Sequence, residues 1–203
     1  MARKIVPEKV EEAKARIIYA ALDVIIEDGL SKCTLAKVAA KAGITKAAIY
    51  WYFADKEAML YYMASSFRKT FIESAYQIAA QAIPFKDKIK ALILSLEDED
   101  THKKCFLPVK VFIELYSVEH EIKQIIREIY TEYIDIIEEI FADAIEKGEI
   151  KANIPTDSLA NLLMAVLDGC TIQDEIKGRP HIDYQGVYQL FMAFIEAGEG
   201  RVV

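Results

Sequence analysis

Apolar residues recur every three to four positions along most of this 203-residue chain, the spacing that places them on one face of an α-helix. The pattern predicts an opening helix from about residue 7 to 28, with Pro7 at its first position and Gly29 at its end. A long amphipathic helix is predicted from about residue 119 to 147, where Gly148 ends it in the same way. Helical periodicity of this extent predicts an all-α fold.

Two short helices follow the first one. Thr34 is a suitable N-cap for a helix that Gly43 ends, and Thr45 is a suitable N-cap for the next helix. In that next helix Ile49 and Phe53 lie four residues apart, so both are expected to point inward. The opening helix and this capped pair predict a three-helix, helix-turn-helix domain.

The rest of the chain is predicted to form a helical bundle. Asp55 is an N-cap for a long helix that is expected to reach about residue 82, a length of roughly 40 Å, and that can carry movement from the body to the helix-turn-helix. Further helices are expected over about 85–96, 105–116, 155–177 and 183–197. About nine helices result. We place the helix-turn-helix domain at 1–54 and the second domain at 55–203.

The outward face of the second short helix carries small, aromatic and basic side chains. A helix-turn-helix docks its second helix in the major groove of DNA, where N-terminal residues of that helix meet base edges. Ala47 and Ala48 are small enough to permit this approach and can meet a thymine methyl. Lys46, Tyr50 and Tyr52 can bond phosphates. The predicted DNA-binding residues are Thr34, Thr45, Lys46, Ala47, Ala48, Tyr50, Trp51, Tyr52 and Lys56.

Lys56 is included because of its position. A cation in the first turn of a helix is electrostatically unfavourable unless an anion lies nearby. A DNA phosphate bound by Lys56 and by the free N–H groups of that turn supplies such an anion. We therefore predict a phosphate contact at Lys56.

Residues from about Ala20 to Leu60 resemble the DNA-binding domain of the TetR family of transcriptional repressors. The family pattern matches at Ala21, Gly29, Thr34, Val38, Ala39, Gly43, Ile44, Thr45, Ile49, Tyr50, Phe53, Lys56 and Leu60. Two positions depart from it: Ile25 stands where the family usually has Phe, and Trp51 occupies a variable position that often contacts DNA. The match therefore implies DNA binding but does not indicate the operator sequence.

The resemblance also implies a dimer and an effector. TetR-like proteins pair their last two helices with a second copy, so we expect a homodimer on a palindromic operator of double-stranded DNA. Burial within one chain is the alternative for these helices. The predicted interface residues are Leu163, Val166, Cys170, Val187, Leu190, Phe191 and Phe194.

A small molecule that enters the C-terminal domain generally releases such repressors from DNA. The residues predicted to line its pocket are Leu92, Leu96, Phe106, Phe112, Tyr116, Tyr133, Met164 and Leu167. Because these side chains are mostly aliphatic or aromatic, we expect an apolar effector such as an acyl chain, a fatty-acid conjugate or an aromatic drug. Each of them also suits an ordinary core position.

The charge of the chain is unevenly distributed. The net charge is −7, yet residues 1–55 hold nine Lys or Arg against seven Asp or Glu, and residues 56–203 hold sixteen against twenty-five. Binding to nucleic acid depends on local neutralisation of phosphates, so an acidic body is compatible with a DNA-binding N-terminal domain. We expect only that domain to touch DNA.

Cysteine and hydropathy patterns limit the remaining classes. Three cysteines lie far apart without a C-x-x-C pair, which favours buried free thiols, and no metal or cofactor is predicted. The chain has no apolar run near eighteen residues and no apolar segment after Arg3 and Lys4. We therefore expect a cytoplasmic protein without a membrane span.

The sequence also bears on two other functions, that of a di-iron enzyme and that of an architectural DNA-binding protein. A di-iron enzyme needs two Glu-x-x-His motifs on separate helices, and this chain offers one, Glu99 to His102, within an acidic stretch. Phosphate-binding loops and hydrolase motifs are also missing, so no enzyme is predicted. An architectural DNA-binding protein without an effector stays open as the alternative.

Overall fold

The computed structural model describes residues 7–97, 109–117, 120–151, 154–177 and 182–199. Within these ranges the chain forms nine α-helices and one short 3-10 helix, with no strand. The predicted all-α fold is confirmed. The helices are α1 Pro7–Asp28, α2 Leu35–Lys41, α3 Lys46–Tyr52, α4 Lys56–Ala79, α5 Phe85–Leu94, α6 Val109–Tyr116, α7 His120–Glu146, α8 Thr156–Lys177 and α9 Tyr184–Glu199; the 3-10 helix, η1, is Leu30–Lys32.

Most helix ends lie where the sequence predicts them. Gly29, with a φ of 85°, follows the last residue of α1, and Gly148, with a φ of 70°, lies just beyond α7. α4 ends at Ala79, earlier than the expected residue 82. The Nζ of the buried Lys88 donates a hydrogen bond of 2.8 Å to the carbonyl oxygen of Ala79, and this bond satisfies one of the carbonyls left free at the end of α4.

The chain divides into two compact units, Met1–Ser66 with Lys110–Ile126 and Phe67–Val109 with Arg127–Val203. We call them the first and second unit. The first unit contains the helix-turn-helix together with α6, although α6 comes much later in the sequence. The predicted domain boundary between residues 54 and 55 stays a prediction.

The core of the first unit comes from the apolar faces of its helices. Ile17 and Ile25 of α1, Val38 of α2 and Ile49 of α3 are almost completely buried. The hydroxyl of Tyr62 on α4 donates a hydrogen bond to the carboxylate of Glu11 on α1. Burial, and then this bond, raise the pKa of Tyr62 to about 12. The start of α4 is therefore fastened to α1.

Aromatic side chains make up the centre of the second unit. Phe141 of α7 is fully buried, and its ring lies 5.2 Å from that of Phe85 and 6.4 Å from that of Phe191. Tyr133 stacks on Phe71 with a centroid distance of 4.4 Å. None of the described helices is both long and apolar enough to span a membrane.

A buried carboxylate fastens α9 to α8. Asp174 of α8 accepts a hydrogen bond of 2.6 Å from the Tyr184 hydroxyl and one of 2.9 Å from the backbone N–H of Ile182. Asp174 is almost completely buried, so these donors take the place of the water that a carboxylate otherwise needs. The periodicity of the sequence gave no indication of this contact.

Candidate nucleic-acid interface

Threonine side chains set the starts of both short helices. Thr34 Oγ1 accepts a hydrogen bond of 3.3 Å from the N–H of Lys37, and Thr45 Oγ1 accepts one of 3.1 Å from the N–H of Ala48. Between the helices Gly43 has a φ of 68°, a conformation that glycine adopts without strain. The two caps and the glycine turn define where α3 begins.

The aromatic run at the end of α3 is divided between core and surface. Ile49 and Phe53 are buried, as their spacing predicts. Tyr50 is 51% exposed and Trp51 is 58% exposed, and the Trp51 ring meets the Tyr52 ring edge-on at 4.8 Å. Two large exposed aromatic side chains, Tyr50 and Trp51, on one short helix are typical of a binding surface.

The remaining predicted residues of α3 and its cap complete this surface. Thr45, Lys46 and Ala47 are exposed, whereas Ala48 is half-buried. Small side chains at the start of α3 leave the helix backbone open to close approach. The exposed side of α3 thus combines small, basic and aromatic groups, the combination that the sequence predicts.

Beside α3 lies an open groove of about 590 Å³. It brings together four of the predicted DNA-binding residues from three elements: Thr34, Lys46, Tyr50 and Lys56. The other residues that line it are Cys33, Leu35, Ala36, Ala54 and Asp55. The ammonium groups of Lys46 and Lys56 and the phenol of Tyr50 provide donors for phosphate oxygens. The Asp55 carboxylate caps α4 and accepts a hydrogen bond of 2.7 Å from the N–H of Ala58.

Lys56 has a protein partner in this structure. Its Nζ donates a hydrogen bond of 2.6 Å to the carbonyl oxygen of Leu30 in η1, and the side chain is half-buried. The N–H of the same residue, Leu30, donates to Glu114 Oε2 of α6 at 2.5 Å. Sequence reasoning missed both contacts, because no local pattern relates η1 to a glutamate 84 residues later. The phosphate contact at Lys56 stays a prediction.

The lysines of α2 are paired with the end of α1. Lys37 Nζ lies 3.0 Å from Asp28 Oδ2, and Lys41 Nζ lies 2.6 Å from Glu27 Oε1. The hydrogen bond from Lys37 lowers the pKa of Asp28, and the bond to Glu27 raises the pKa of Lys41. Because both ion pairs are exposed, each contributes little to the free energy of unfolding.

Five of the predicted pocket residues lie in one core cluster of the second unit. They are Leu92, Leu96, Tyr133, Met164 and Leu167. Phe112 and Tyr116 lie on α6 of the first unit, the former half-buried and the latter exposed with Lys123 Nζ 4.7 Å from its ring centre. Phe106 lies outside the described residues.

A polar pair lies on two of the helices that build this cluster. The Tyr130 hydroxyl on α7 donates a hydrogen bond of 3.0 Å to Asp168 Oδ2 on α8. Burial raises the pKa of Asp168, and burial together with the Asp168 charge raises the pKa of Tyr130 and of Tyr133. The sequence search for apolar lining residues overlooked this carboxylate.

The predicted interface residues fall into three groups. Leu163, Cys170 and Phe191 are buried by their own chain. Val166 and Val187 are half-buried. Leu190 is 74% exposed and Phe194 is also exposed.

Further exposed apolar residues on α8 were missed: Leu162, Ile172 and Ile176. They share one stripe of the helix with Val166 and Gly169, a glycine at which an added Cβ meets no atom within 4 Å. The helical spacing of apolar residues indicates this stripe in the sequence. Where two faces of a helix are apolar, however, the spacing does not show which face is buried and which is exposed.

Two family models match this chain in succession. Residues 17–63 match the model of bacterial regulatory proteins of the TetR family, and residues 67–177 match the model of the YsiA-like protein C-terminal region. The chain belongs to the TetR family. It is a transcriptional regulator of that family, as the sequence resemblance implied.

One relative of this TetR-family regulator is named for fatty acid metabolism. The fatty acid metabolism regulator protein of Bacillus subtilis is 29% identical over 153 residues, which cover 75% of this chain and 78% of that protein.

Solved structures have the same fold. FadR from Bacillus subtilis, solved in complex with stearoyl-CoA, is 24% identical, covers 93% of this chain and 99% of its own, and superposes with a TM-score of 0.68. The fatty acid degradation regulator FadR from Bacillus halodurans is 23% identical, with coverages of 93% and 96% and a TM-score of 0.71.

Proposed function

We propose that this TetR-family regulator is a homodimeric repressor that binds a palindromic operator through α3 and leaves it when an acyl effector binds. The observation that carries the proposal is the exposed side of α3, where small, basic and aromatic side chains stand beside a groove lined by Lys46, Tyr50 and Lys56. Such a surface suits the major groove with its flanking phosphates.

The side chains divide between positioning and reading. Lys46, Tyr50 and Lys56 are assigned to phosphates, which fix the register of α3 without reading sequence. Ala47 and Trp51 are assigned to base edges, where apolar groups meet thymine methyls. For Lys56 this assignment requires that its ammonium group bond a phosphate in addition to Leu30, and an ammonium group has three donors.

The dimer is proposed from the second unit. Exposed apolar side chains form a stripe on α8 and another on α9: Leu162, Ile172, Ile176, Leu190 and Phe194. Large apolar residues that share one helix face are typical of interfaces. Helix-turn-helix dimers bind two half-sites about one DNA turn apart, roughly 34 Å, or a multiple of it, and we propose the same spacing for this dimer.

The effector is proposed from the relatives and from the core cluster. The Bacillus subtilis FadR structure contains stearoyl-CoA. In this chain the second unit has aliphatic and aromatic side chains at its centre, the residue types that line the sites of apolar ligands. To empty an occupied operator the effector must prefer the released spacing of the DNA domains by about 5 kcal/mol. α4, which contributes residues to both units, is proposed to transmit that preference.

A titration tests the release step. A duplex enriched by the protein from a random-sequence pool is labelled, and binding is followed by fluorescence anisotropy with increasing stearoyl-CoA, or with coenzyme A alone as the control. We expect affinity to fall at least tenfold with stearoyl-CoA and not with coenzyme A. Equal affinities without effector, with stearoyl-CoA and with coenzyme A reject an acyl effector and favour effector-independent DNA binding.

A further inference from the structure

We propose that Glu114 is a positioning residue for the DNA interface. Its carboxylate holds η1, the turn that precedes α2, and through η1 it sets one wall of the groove beside α3. The inference rests on the proposed function and adds a residue of α6 to the machinery of DNA binding. No pattern in the sequence connects α6 with that surface.

Side chains of two helices hold the backbone of one residue, Leu30. Glu114 Oε2 accepts a hydrogen bond of 2.5 Å from the N–H of Leu30. Lys56 Nζ donates a hydrogen bond of 2.6 Å to the carbonyl oxygen of the same residue. The carboxylate lies against bare backbone, since both of its oxygens are 3.9 Å from the place where a Cβ on Gly29 would stand. Hydrogen bonds to charged groups are the stronger kind, so η1 is held firmly from both sides.

Residues that follow η1 directly form the groove. The N–H of Cys33 donates a hydrogen bond of 3.1 Å to the carbonyl oxygen of Leu30. Cys33 and the next residue, Thr34, both line the groove. Thr34 is also the cap of α2. A shift of η1 therefore moves the cap of α2 and changes the distance across the groove to Lys46 and Tyr50.

Glu114 is itself fixed by the packing of α6. Its neighbours Val111 and Leu115 are completely buried, and α6 belongs to the first unit. Any displacement of α6 withdraws the carboxylate from Leu30. Through Glu114, α6 thus supports one of the two side-chain contacts that hold η1 beside the DNA-binding surface.

The test compares three variants of the full chain. Glu114→Ala removes the acceptor, Glu114→Gln keeps an oxygen that can accept from Leu30, and Glu121→Ala removes an exposed carboxylate of the same unit as the control. Hydrogen exchange of the Leu30 amide reports the local contact. Anisotropy with the enriched duplex and with a scrambled duplex reports specific and non-specific binding.

We expect Glu114→Ala to weaken binding to the enriched duplex about tenfold, with less than a twofold change on the scrambled duplex, and to speed exchange at Leu30 by about tenfold. Glu114→Gln should stay within about threefold of wild type on both measures. Glu121→Ala should be unchanged. The rescue by glutamine separates loss of the acceptor from loss of charge.

Several results overturn the proposal. If wild type enriches a duplex and Glu114→Ala binds it equally well, Glu114 does not position the interface. If amides throughout the first unit lose protection together, or if binding to both duplexes falls alike, the residue acts in folding only. A wild-type protein that enriches no duplex rejects the proposed function and this inference with it, a result distinct from failure at Glu114 alone.

Discussion

Lys46 and Trp51 stand at opposite ends of α3 on its exposed side, and their chemistry assigns them different tasks. Lys46 carries a charge that can neutralise a phosphate and displace a counterion. Trp51 has no charge; its exposed indole offers apolar area and a single N–H donor. Removal of the two side chains should therefore change DNA binding in two distinguishable ways.

For Lys46→Ala we expect weaker binding to all duplexes alike, and a salt dependence whose slope in log affinity against log salt is lower by about one. The measurement is anisotropy at several salt concentrations. Lys86→Ala, an exposed lysine on α5 of the second unit, is the matched control and should leave the slope unchanged. A normal slope for Lys46→Ala means that the lysine neutralises no phosphate.

For Trp51→Ala we expect a loss of preference at particular base pairs, about 1–3 kcal/mol per position. Binding to a set of single-base variants of the enriched duplex measures it. If affinity drops uniformly across the whole set, Trp51 contacts the backbone and not the bases.

Asp168 gives a prediction about pH. Burial raises its pKa above the ordinary value of 3.8, so the folded protein holds this proton more tightly than the unfolded chain. The associated stability is present below pH 3.8 and is lost as pH rises through the raised pKa. Asp168→Asn avoids this loss, and its amide oxygen still accepts from Tyr130.

We expect Asp168→Asn to unfold at a higher temperature than wild type at pH 7, with a difference that shrinks towards pH 4. Thermal unfolding followed by circular dichroism measures this difference. Asp135→Asn, an exposed carboxylate on α7, serves as the control. A difference that is independent of pH would assign the gain to packing instead of ionisation.

At the scale of elements, the attachment of α9 to α8 depends on Asp174. Asp174→Ala leaves the Tyr184 hydroxyl and the Ile182 N–H without this acceptor, and we expect a cost of roughly 2–4 kcal/mol in the free energy of unfolding. Tyr184→Phe removes only one donor and should cost roughly 1 kcal/mol. Urea unfolding measures both. Equal costs would show that the carboxylate makes no contribution beyond its bond to Tyr184.

Helices and their caps were predictable from the sequence because they depend on neighbours. Thr34, Thr45 and the glycine after α1 act within a few residues, and apolar spacing reports which face is buried. The bond between Glu114 and Leu30 joins positions far apart in the chain, so no local signal reports it. The residues on the outward face of α3 and the family resemblance both indicated DNA binding, which the periodicity of apolar residues alone does not.

The second unit shows where periodicity fails. α8 is apolar on two faces, and spacing gives equal weight to Leu163, which is fully buried, and to its neighbour Leu162, which is exposed. Only packing against the other helices decides between them. For the same reason the predicted interface residues include Phe191, which is buried, and omit Ile176, which is exposed.

At the scale of the whole molecule, the dimer predicts unequal effects of one substitution at two sites. Ile176 of α8 is 77% exposed on the proposed interface stripe, and Ile113 of α6 is 62% exposed in the first unit. Ile176→Glu places a charge, and its symmetry mate, in an apolar contact. We expect it to weaken dimerisation at least tenfold in sedimentation equilibrium, whereas Ile113→Glu dimerises like wild type. Equal behaviour of the two variants would move the interface elsewhere.

The distribution of charge along the chain agrees with DNA binding by the N-terminal domain alone. The excess of Asp and Glu lies in residues 56–203, and the basic excess lies in residues 1–55. A negatively charged body is repelled by DNA, so the complex should be oriented with the helix-turn-helix towards the duplex.

The most direct test of the central claim is the sequence of the duplexes that the wild-type protein enriches from a random pool. A symmetric pair of chains, each with α3 in a major groove, predicts two inverted copies of one motif with centres one helical turn apart, about 10 base pairs, or a multiple of it. A single unpaired motif, or a pool without any enriched motif, would contradict the account.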